Sequence, residues 1–377
     1  MPEKRNIWMR NIAVLFIFCN TVYWFFPFPP VVWRVGLVLL SLFVIIFREG
    51  KKAKCEKLVL SFAALNLIYF FLSYYHIAPS TTQLGNILCA LLSLNFFAYL
   101  GEKGVMTESF FAVTIVLLIV ASVFGFYHGR ALALARMMNY ADTTTVNESG
   151  PFLLLLPMVF FLKKDFQKAL ILGVCIFYLL LGAKRGSILA AIIPVVMIVW
   201  YMLKNSSHSV GKTVLIVGAL TVLSFIAFDW IVNNDYLMHR FEQTVEGDSS
   251  GRDAIYAGAW RAWSTSNSTF RYFFGFGFDG ASYHPMIGCP AHSDWLEILV
   301  DYGIVGIVSY LAVFFSFAAL IIRTREFQTK MILLSCILIW FFSSIYSMGF
   351  TSGNMPLMMM SLGTAVGWTK RTLVEVE

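Results

Sequence analysis

The chain has 377 residues, 59% of them hydrophobic and 13% charged, with a formal net charge of +7 and a mean hydropathy of +0.74. A soluble domain carries roughly twice that charged fraction, so the composition excludes an ordinary water-soluble globule. The basic excess does not call for nucleic acid, because cytoplasmic loops beside membrane spans are themselves rich in Lys and Arg.

The apolar residues fall in blocks rather than in a stripe. A bilayer core asks roughly 20 apolar residues of a helix. Lipid offers no partner to the polar groups of an open sheet edge, so blocks of this length are helices. In chain order the predicted spans are 11–28, 31–47, 57–75, 84–100, 109–127, 150–162, 168–183, 187–203, 212–231, 304–322, 331–348 and 354–369. The first follows a basic N-terminal segment and closes on Phe26-Pro27-Phe28-Pro29-Pro30. No small-residue cleavage site follows, so it reads as a span and not as a cleaved signal. With the N-terminus in the cytoplasm and the spans alternating, 19 of the 28 Lys and Arg residues fall on the cytoplasmic side. That asymmetry places both termini in the cytoplasm. The expected fold is therefore a single all-α polytopic membrane domain over 1–377, with about a dozen spans. Two extracytoplasmic segments are long, 128–149 and 232–303. The six cysteines (Cys19, Cys55, Cys89, Cys175, Cys289 and Cys336) are scattered, mostly in or beside spans, and form no disulfide framework.

The 232–303 loop is rich in aromatic residues, which disordered segments lack, and short helices are expected within it. Arg252, Tyr256, Trp260 and Trp263 share one face at helical spacing. An interfacial aromatic belt and a sugar-stacking surface both fit that face. Gly275-Phe-Gly277-Phe-Asp279-Gly280 matches G-x-G-x-x-G in form, but no βαβ unit surrounds it. It reads as a tight turn that brings backbone close to another element. His284, Cys289 and His292 are potential zinc ligands, yet their spacing fits no compact zinc pattern and no fourth ligand stands nearby. His292 precedes a short amphipathic helix that leads into a span, with Leu296, Leu299 and Val300 on one face and Asp294, Glu297 and Asp301 on the other. Arg185, after Gly182-Ala183-Lys184, stands at the outer mouth of a span, where an arginine either snorkels to headgroups or faces a partner.

Four segments in this order, GAKRGSILA, SSGRDAIYAGAW, GFGFDG and AHSDWLEILVDYGIVG, resemble the O-antigen ligase and polymerase superfamily of bacterial membrane glycosyltransferases. The resemblance runs from about Gly182 to Gly306. It implies that His292 is the catalytic histidine, Arg252 the loop arginine and Arg185 the span-end arginine. Lys184 stands where Ser or Thr is usual, and Ser293 where Asn is usual. Lys184, Arg261, Arg130, Arg136 and Trp260 are further candidates for diphosphate or glycan contacts; each of the four cations also fits an ordinary solvated surface.

The resemblance implies a donor glycan on undecaprenyl diphosphate, an acceptor that is another glycan or a lipid A–core, and a site on the periplasmic face of the inner membrane. A diphosphate leaving group needs charge stabilisation, which guanidinium forks supply. The incoming hydroxyl needs a base, and a neutral histidine serves near neutral pH. That set calls for no metal and no cofactor. Direct displacement inverts the anomeric centre. Polymerase is slightly favoured over ligase. The alternative is a lipid-linked oligosaccharide flippase, which would place ionisable residues deep within several spans; the predicted spans are nearly free of charge.

Overall fold

In the computed structural model every regular element among the described residues is helical. The structure describes residues 4–48, 50–137, 149–182, 184–205 and 251–374, with 218, 225, 229 and 232–233 between them. The first eight helices are α1 (Lys4–Thr21), α2 (Pro30–Phe47), α3 (Lys54–Ser73), α4 (Thr81–Glu102), α5 (Glu108–Met137), α6 (Gly150–Leu155), α7 (Asp165–Leu181) and α8 (Arg185–Asn205). Three short helices follow: α9 (Arg252–Ser264), α10 (Thr269–Phe274) and α11 (Gly280–Tyr283). The chain then forms α12 (Asp294–Arg323), α13 (Phe327–Tyr346) and α14 (Pro356–Val374).

Among the described residues seven helices are long and apolar enough to cross a membrane: α2, α3, α4, α5 to Leu132, α8, α12 and α13. The expected spans at 11–28, 150–162, 168–183 and 354–369 fall on helices that are shorter, more charged or more polar. The expected span at 212–231 lies outside the described residues, apart from isolated positions, as does most of 232–250. One boundary is corrected. The segment expected to leave the membrane as a loop at His128 continues as helix to Met137. Ala131, Leu132, Ala133, Leu134 and Ala135 are strong helix formers, and that propensity carries the helix past the end of the apolar block. Beyond α6 the helix tightens to 3-10 geometry over Leu156–Phe161, where Pro157 has no N–H to give the α ladder.

The most buried span is α4, and α14 lies along it at very short range. Built on the backbone, a Cβ at Gly363 would stand 2.5 Å from the Leu94 carbonyl, and one at Gly367 2.2 Å from that of Ala98. Gly363-x-x-x-Gly367 is therefore a close-approach seam, in which small residues let two backbones touch.

Within α12, Gly303 has φ 63° and ψ −153°, which breaks the helix into an entry piece and a spanning piece. The break exposes the carbonyls that end the entry piece. The GFGFDG turn satisfies them: Phe276 N–H donates to Val300 O at 2.8 Å and Gly277 N–H to Asp301 O at 2.9 Å. A Cβ at Gly303 would sit 2.6 Å from the Phe273 carbonyl carbon, and one at Gly275 2.3 Å from Asp301 O. The sequence expectation of a tight turn against another element is met here by backbone on backbone.

Candidate active site

His292 lies between α11 and α12 and takes φ 54°, a left-handed conformation rare for a residue with a Cβ. Its neighbours hold it there. Ala291 N–H donates to Glu297 Oε2 at 2.5 Å. Ser293 Oγ donates to Ser344 O at 3.3 Å. The His292 carbonyl itself accepts from the Tyr256 hydroxyl at 3.3 Å. The backbone is clamped on both sides, and the side chain is partly buried with the rest exposed.

The helix that follows is inserted acid-side inward. Asp294, Glu297 and Asp301 are buried. Asp294 accepts from Gly349 N–H at 2.9 Å, from Phe350 N–H at 3.3 Å and from the Tyr310 hydroxyl at 3.0 Å. Asp301 accepts from Asp279 N–H and Ala281 N–H, both at 3.0 Å. The polar face of this helix is turned inward, Val300 is buried with it, and Leu296 and Leu299 are half-buried. Its carboxylates serve backbone amides of the turns around the site, which is how buried acids are accommodated.

Arg252 opens α9, and its Nη1 donates to Tyr346 O at 2.7 Å. One turn on, Tyr256 reaches the His292 carbonyl, so a single helix face joins the loop arginine to the histidine. Farther along, the face divides. Trp263 is buried, donates from Nε1 to Tyr272 O at 3.0 Å and stacks on that ring with centroids 4.3 Å apart. Trp260 is 53% exposed and meets the Trp263 ring at 5.2 Å between centroids.

Lys184 precedes α8, with Nζ 3.4 Å from Ser347 Oγ. Arg185 is the first residue of α8 and is half-buried. Beside it, a Cβ at Gly186 would stand 3.0 Å from Tyr346 Cβ. The span-end motif, the loop arginine and the histidine helix thus all meet at one place, the end of α13 and the Tyr346–Phe350 turn after it. That turn carries no charge, and sequence reasoning passed over it. The only signal for it is a run of small and polar residues, Ser343, Ser344, Ser347 and Gly349, closing an apolar block.

A small cavity of about 50 Å³ opens here. Lys184, Ser187, Ser347 and Ser352 give it polar groups, and Leu153, Ile339, Met355 and Met358 give it an apolar side. Burial, together with the charges of Arg252 and Lys184, holds the His292 imidazole below its ordinary pKa. It is therefore neutral, and able to accept a proton, at neutral pH.

The remaining candidates lie apart. No contact among the described residues joins Arg261, Arg130 or Trp260 to His292; Arg261 is exposed and Arg130 half-buried on α5. The side chain of Arg136 lies outside the described residues. His284 is engaged elsewhere: its Nδ1 accepts from Met286 N–H at 3.2 Å and its ring meets Phe276 edge-on. Among the described residues no three His, Cys, Asp or Glu side chains come together as metal ligands, so His284, Cys289 and His292 do not form one group.

Residues 170–311 match a sequence-family model described as O-antigen ligase. The match supports the resemblance of this segment to the O-antigen ligase and polymerase superfamily. The match contains Lys184, Arg185, Arg252 and His292, and it stops short of the Tyr346 turn on which they converge. No curated protein matches the chain. The family implies a glycosyltransferase-like enzyme of a bacterial membrane, with lipid-linked glycan and polysaccharide partners.

Proposed function

We propose that the chain is an inverting glycosyltransferase that moves a glycan from undecaprenyl diphosphate to a sugar hydroxyl, in the inner membrane, with its site on the periplasmic face and both termini in the cytoplasm. The observation that carries this reading is the meeting of His292, Arg252 and Lys184 around one turn, beside a cavity with a polar and an apolar side. The apolar side suits a polyprenyl chain and the cationic side a diphosphate.

In this mechanism the acceptor hydroxyl oxygen attacks the anomeric carbon. The bond from that carbon to the diphosphate oxygen breaks, and the electron pair leaves with the diphosphate. His292 takes the hydroxyl proton. Arg252, Arg185 and Lys184 stabilise the charge that develops on the leaving group, as preorganised cations do where water is partly excluded. The acceptor is a second lipid-linked glycan in a polymerase and a lipid A–core in a ligase; polymerase is the reading favoured here.

The test uses the purified full-length protein with an undecaprenyl-diphosphate glycan and both acceptors, the products being read by mass. His292→Ala is expected to lower transfer by about 100-fold or more, within the range that one general base contributes. Arg252→Ala and Arg185→Ala are expected to lower it as well. Normal transfer by His292→Ala would remove the base assignment. Movement of the lipid-linked glycan across the bilayer, with no transfer to either acceptor, would put a flippase in its place.

A further inference from the structure

The connection between α9 and α10 borders a cavity of about 400 Å³, against about 50 Å³ for the one beside Lys184. The transfer chemistry above makes no use of it. Trp263 of α9 joins the two helices by stacking on Tyr272 of α10, with centroids 4.3 Å apart. The far wall comes from Phe276 of the GFGFDG turn and His284 at the end of α11. Both walls lead back to His292. Tyr256, which reaches the His292 carbonyl, stands six residues before the lining residue Ala262, about 9 Å along the helix. Phe276 N–H donates to Val300 O at 2.8 Å, on the entry piece of α12 that His292 precedes.

The lining groups have a definite chemistry. Arg271 supplies one cation. Its guanidinium lies over the Phe276 ring, 5.2 Å from the centroid, and among the described residues no ion pair joins it to a carboxylate. None of the described residues that line the cavity is acidic. His284 Nδ1 accepts from Met286 N–H at 3.2 Å, so the neutral ring carries its proton on Nε2 and can donate it. Burial, and then the charge of Arg271, holds that ring below its ordinary pKa, which keeps it neutral at neutral pH. Ser266 Oγ and Ser268 Oγ accept from backbone N–H groups at 3.5 and 3.4 Å, which leaves each O–H to donate. Thr265 Oγ1 donates to Arg261 O at 2.7 Å, which leaves its lone pairs to accept.

One fork-shaped cation, a set of neutral donors and acceptors, and an aromatic ring select the occupant. Water would satisfy the hydroxyls but not the charge. A phosphate dianion would leave half of its charge unmatched by a single guanidinium. A sugar carrying one carboxylate satisfies every group: the carboxylate takes the guanidinium fork, the ring hydroxyls take the neutral groups, and the carbon–hydrogen face of the sugar meets Phe276. The volume falls within the roughly 300–1,000 Å³ of small-molecule sites.

We propose that this cavity is a saccharide subsite for an acidic sugar, such as a hexuronic acid, with the carboxylate on Arg271 and the hydroxyls on His284 and the Thr265–Ser268 connection. The proposal rests on the glycosyl transfer proposed above and deepens it: the glycan handled at His292 is anionic. Arg271 touches no reacting atom and sets specificity from a short distance along the glycan.

The probe is digalacturonate, set against the neutral disaccharide in which both carboxyl groups are reduced to primary alcohols. Each is titrated into the full-length protein in detergent, and binding is followed by saturation-transfer NMR. The wild type is expected to bind the acidic disaccharide about 10-fold more tightly, the contribution of one charged hydrogen-bonded contact at an open site. Arg271 is exposed, so Arg271→Gln is expected to unfold at the wild-type temperature and to lose the preference. Arg271→Lys keeps the charge without the fork and is expected to retain only part of it; this variant carries the test if Arg271→Gln fails to fold. Equal binding of the two disaccharides by the wild type, or a full preference in both variants, would overturn the proposal. Displacement of digalacturonate by equimolar inorganic phosphate would make the cavity a general anion site and overturn it as well. The transfer assay separates the two readings. Glycan transfer without an acid preference removes the subsite alone. An acid preference that depends on Arg271, with no transfer to any acceptor, removes the transferase reading and leaves a saccharide site.

Discussion

His292 is the residue whose behaviour the site most directly controls. An ordinary histidine titrates near 6.5. Burial lowers this one, and the Arg252 and Lys184 charges lower it further, because a cation nearby disfavours a second positive charge. If His292 is the base, transfer should rise with pH through a midpoint below that ordinary value. Taking away a cation raises the imidazole pKa. In Arg252→Ala the acid limb of the pH–rate profile should therefore move to higher pH, only part of the way back, since burial remains. An acid limb that stays in place in Arg252→Ala would show that His292 does not feel that charge. At this scale the sequence was informative where a titratable side chain marks the place, as at His292, Arg252 and Lys184, which the fold brings to the Tyr346 turn. It was silent on Tyr346, whose contribution is a backbone carbonyl, and on Ser347 and Gly349, which look like the end of any span. It also displayed Asp294, Glu297 and Asp301 as a polar face without telling that the face is turned inward; only the amides waiting at Gly349, Phe350, Asp279 and Ala281 decide that.

At the scale of elements, the broken helix α12 sets the height at which His292 stands. Its entry piece is held by Asp294 at one end and by the GFGFDG turn at the other, and both anchors depend on the break at Gly303. With φ 63° and ψ −153°, this residue occupies a region essentially reserved for glycine, where another residue costs about 1–3 kcal/mol. A Cβ would in addition meet the Phe273 backbone at 2.6 Å, which cannot swing aside as a side chain can. Gly303→Ala is accordingly expected to destabilise the protein by at least that amount and to lower transfer more than it lowers donor binding. Thermal unfolding and the split between kcat and KM would show this; an unchanged unfolding temperature would mean the break tolerates a side chain. Apolar blocks and glycine-marked turns made the spanning helices and this contact legible in advance. The continuation of α5 to Met137 was not, because hydropathy marks where a helix leaves lipid and not where it stops being a helix. The Gly363–Gly367 seam was present in the sequence as a spacing, but its partner on α4, 265 residues upstream of Gly363 for Ala98, is a matter of tertiary packing.

Across the described residues the ion pairs are gathered at one end. Every ion pair that joins two described residues lies at the end opposite the candidate site. Arg48 pairs with Glu56 and Glu102. Lys370 pairs with Glu102 at 2.7 Å and lies 3.8 Å from Glu56. Lys163–Glu108 and Lys168–Asp165 follow at the same end. This network ties the ends of α2, α4 and α14 to the start of α3, and Glu56 also accepts from Ala53 N–H at 2.7 Å. At the other end Asp294, Asp301 and one oxygen of Glu297 are occupied by backbone amides, and among the described residues no ion pair joins Arg252 or Arg34 to a carboxylate. A site for an anionic substrate requires that separation, since a paired cation has already given up its attraction. The two ends should accordingly fail differently. Arg48 is buried, and removing Glu56 leaves it with Glu102 alone. Breaking a buried pair costs roughly 3–5 kcal/mol, and because Glu102 remains, the lower figure applies. Glu56→Ala is expected to destabilise by about 3 kcal/mol, read from thermal unfolding. At temperatures where it is still folded, its KM and acid limb should match the wild type. A change in the acid limb of Glu56→Ala, with the fold intact, would show that the ion network reaches the imidazole through the bundle and that the two ends are not independent.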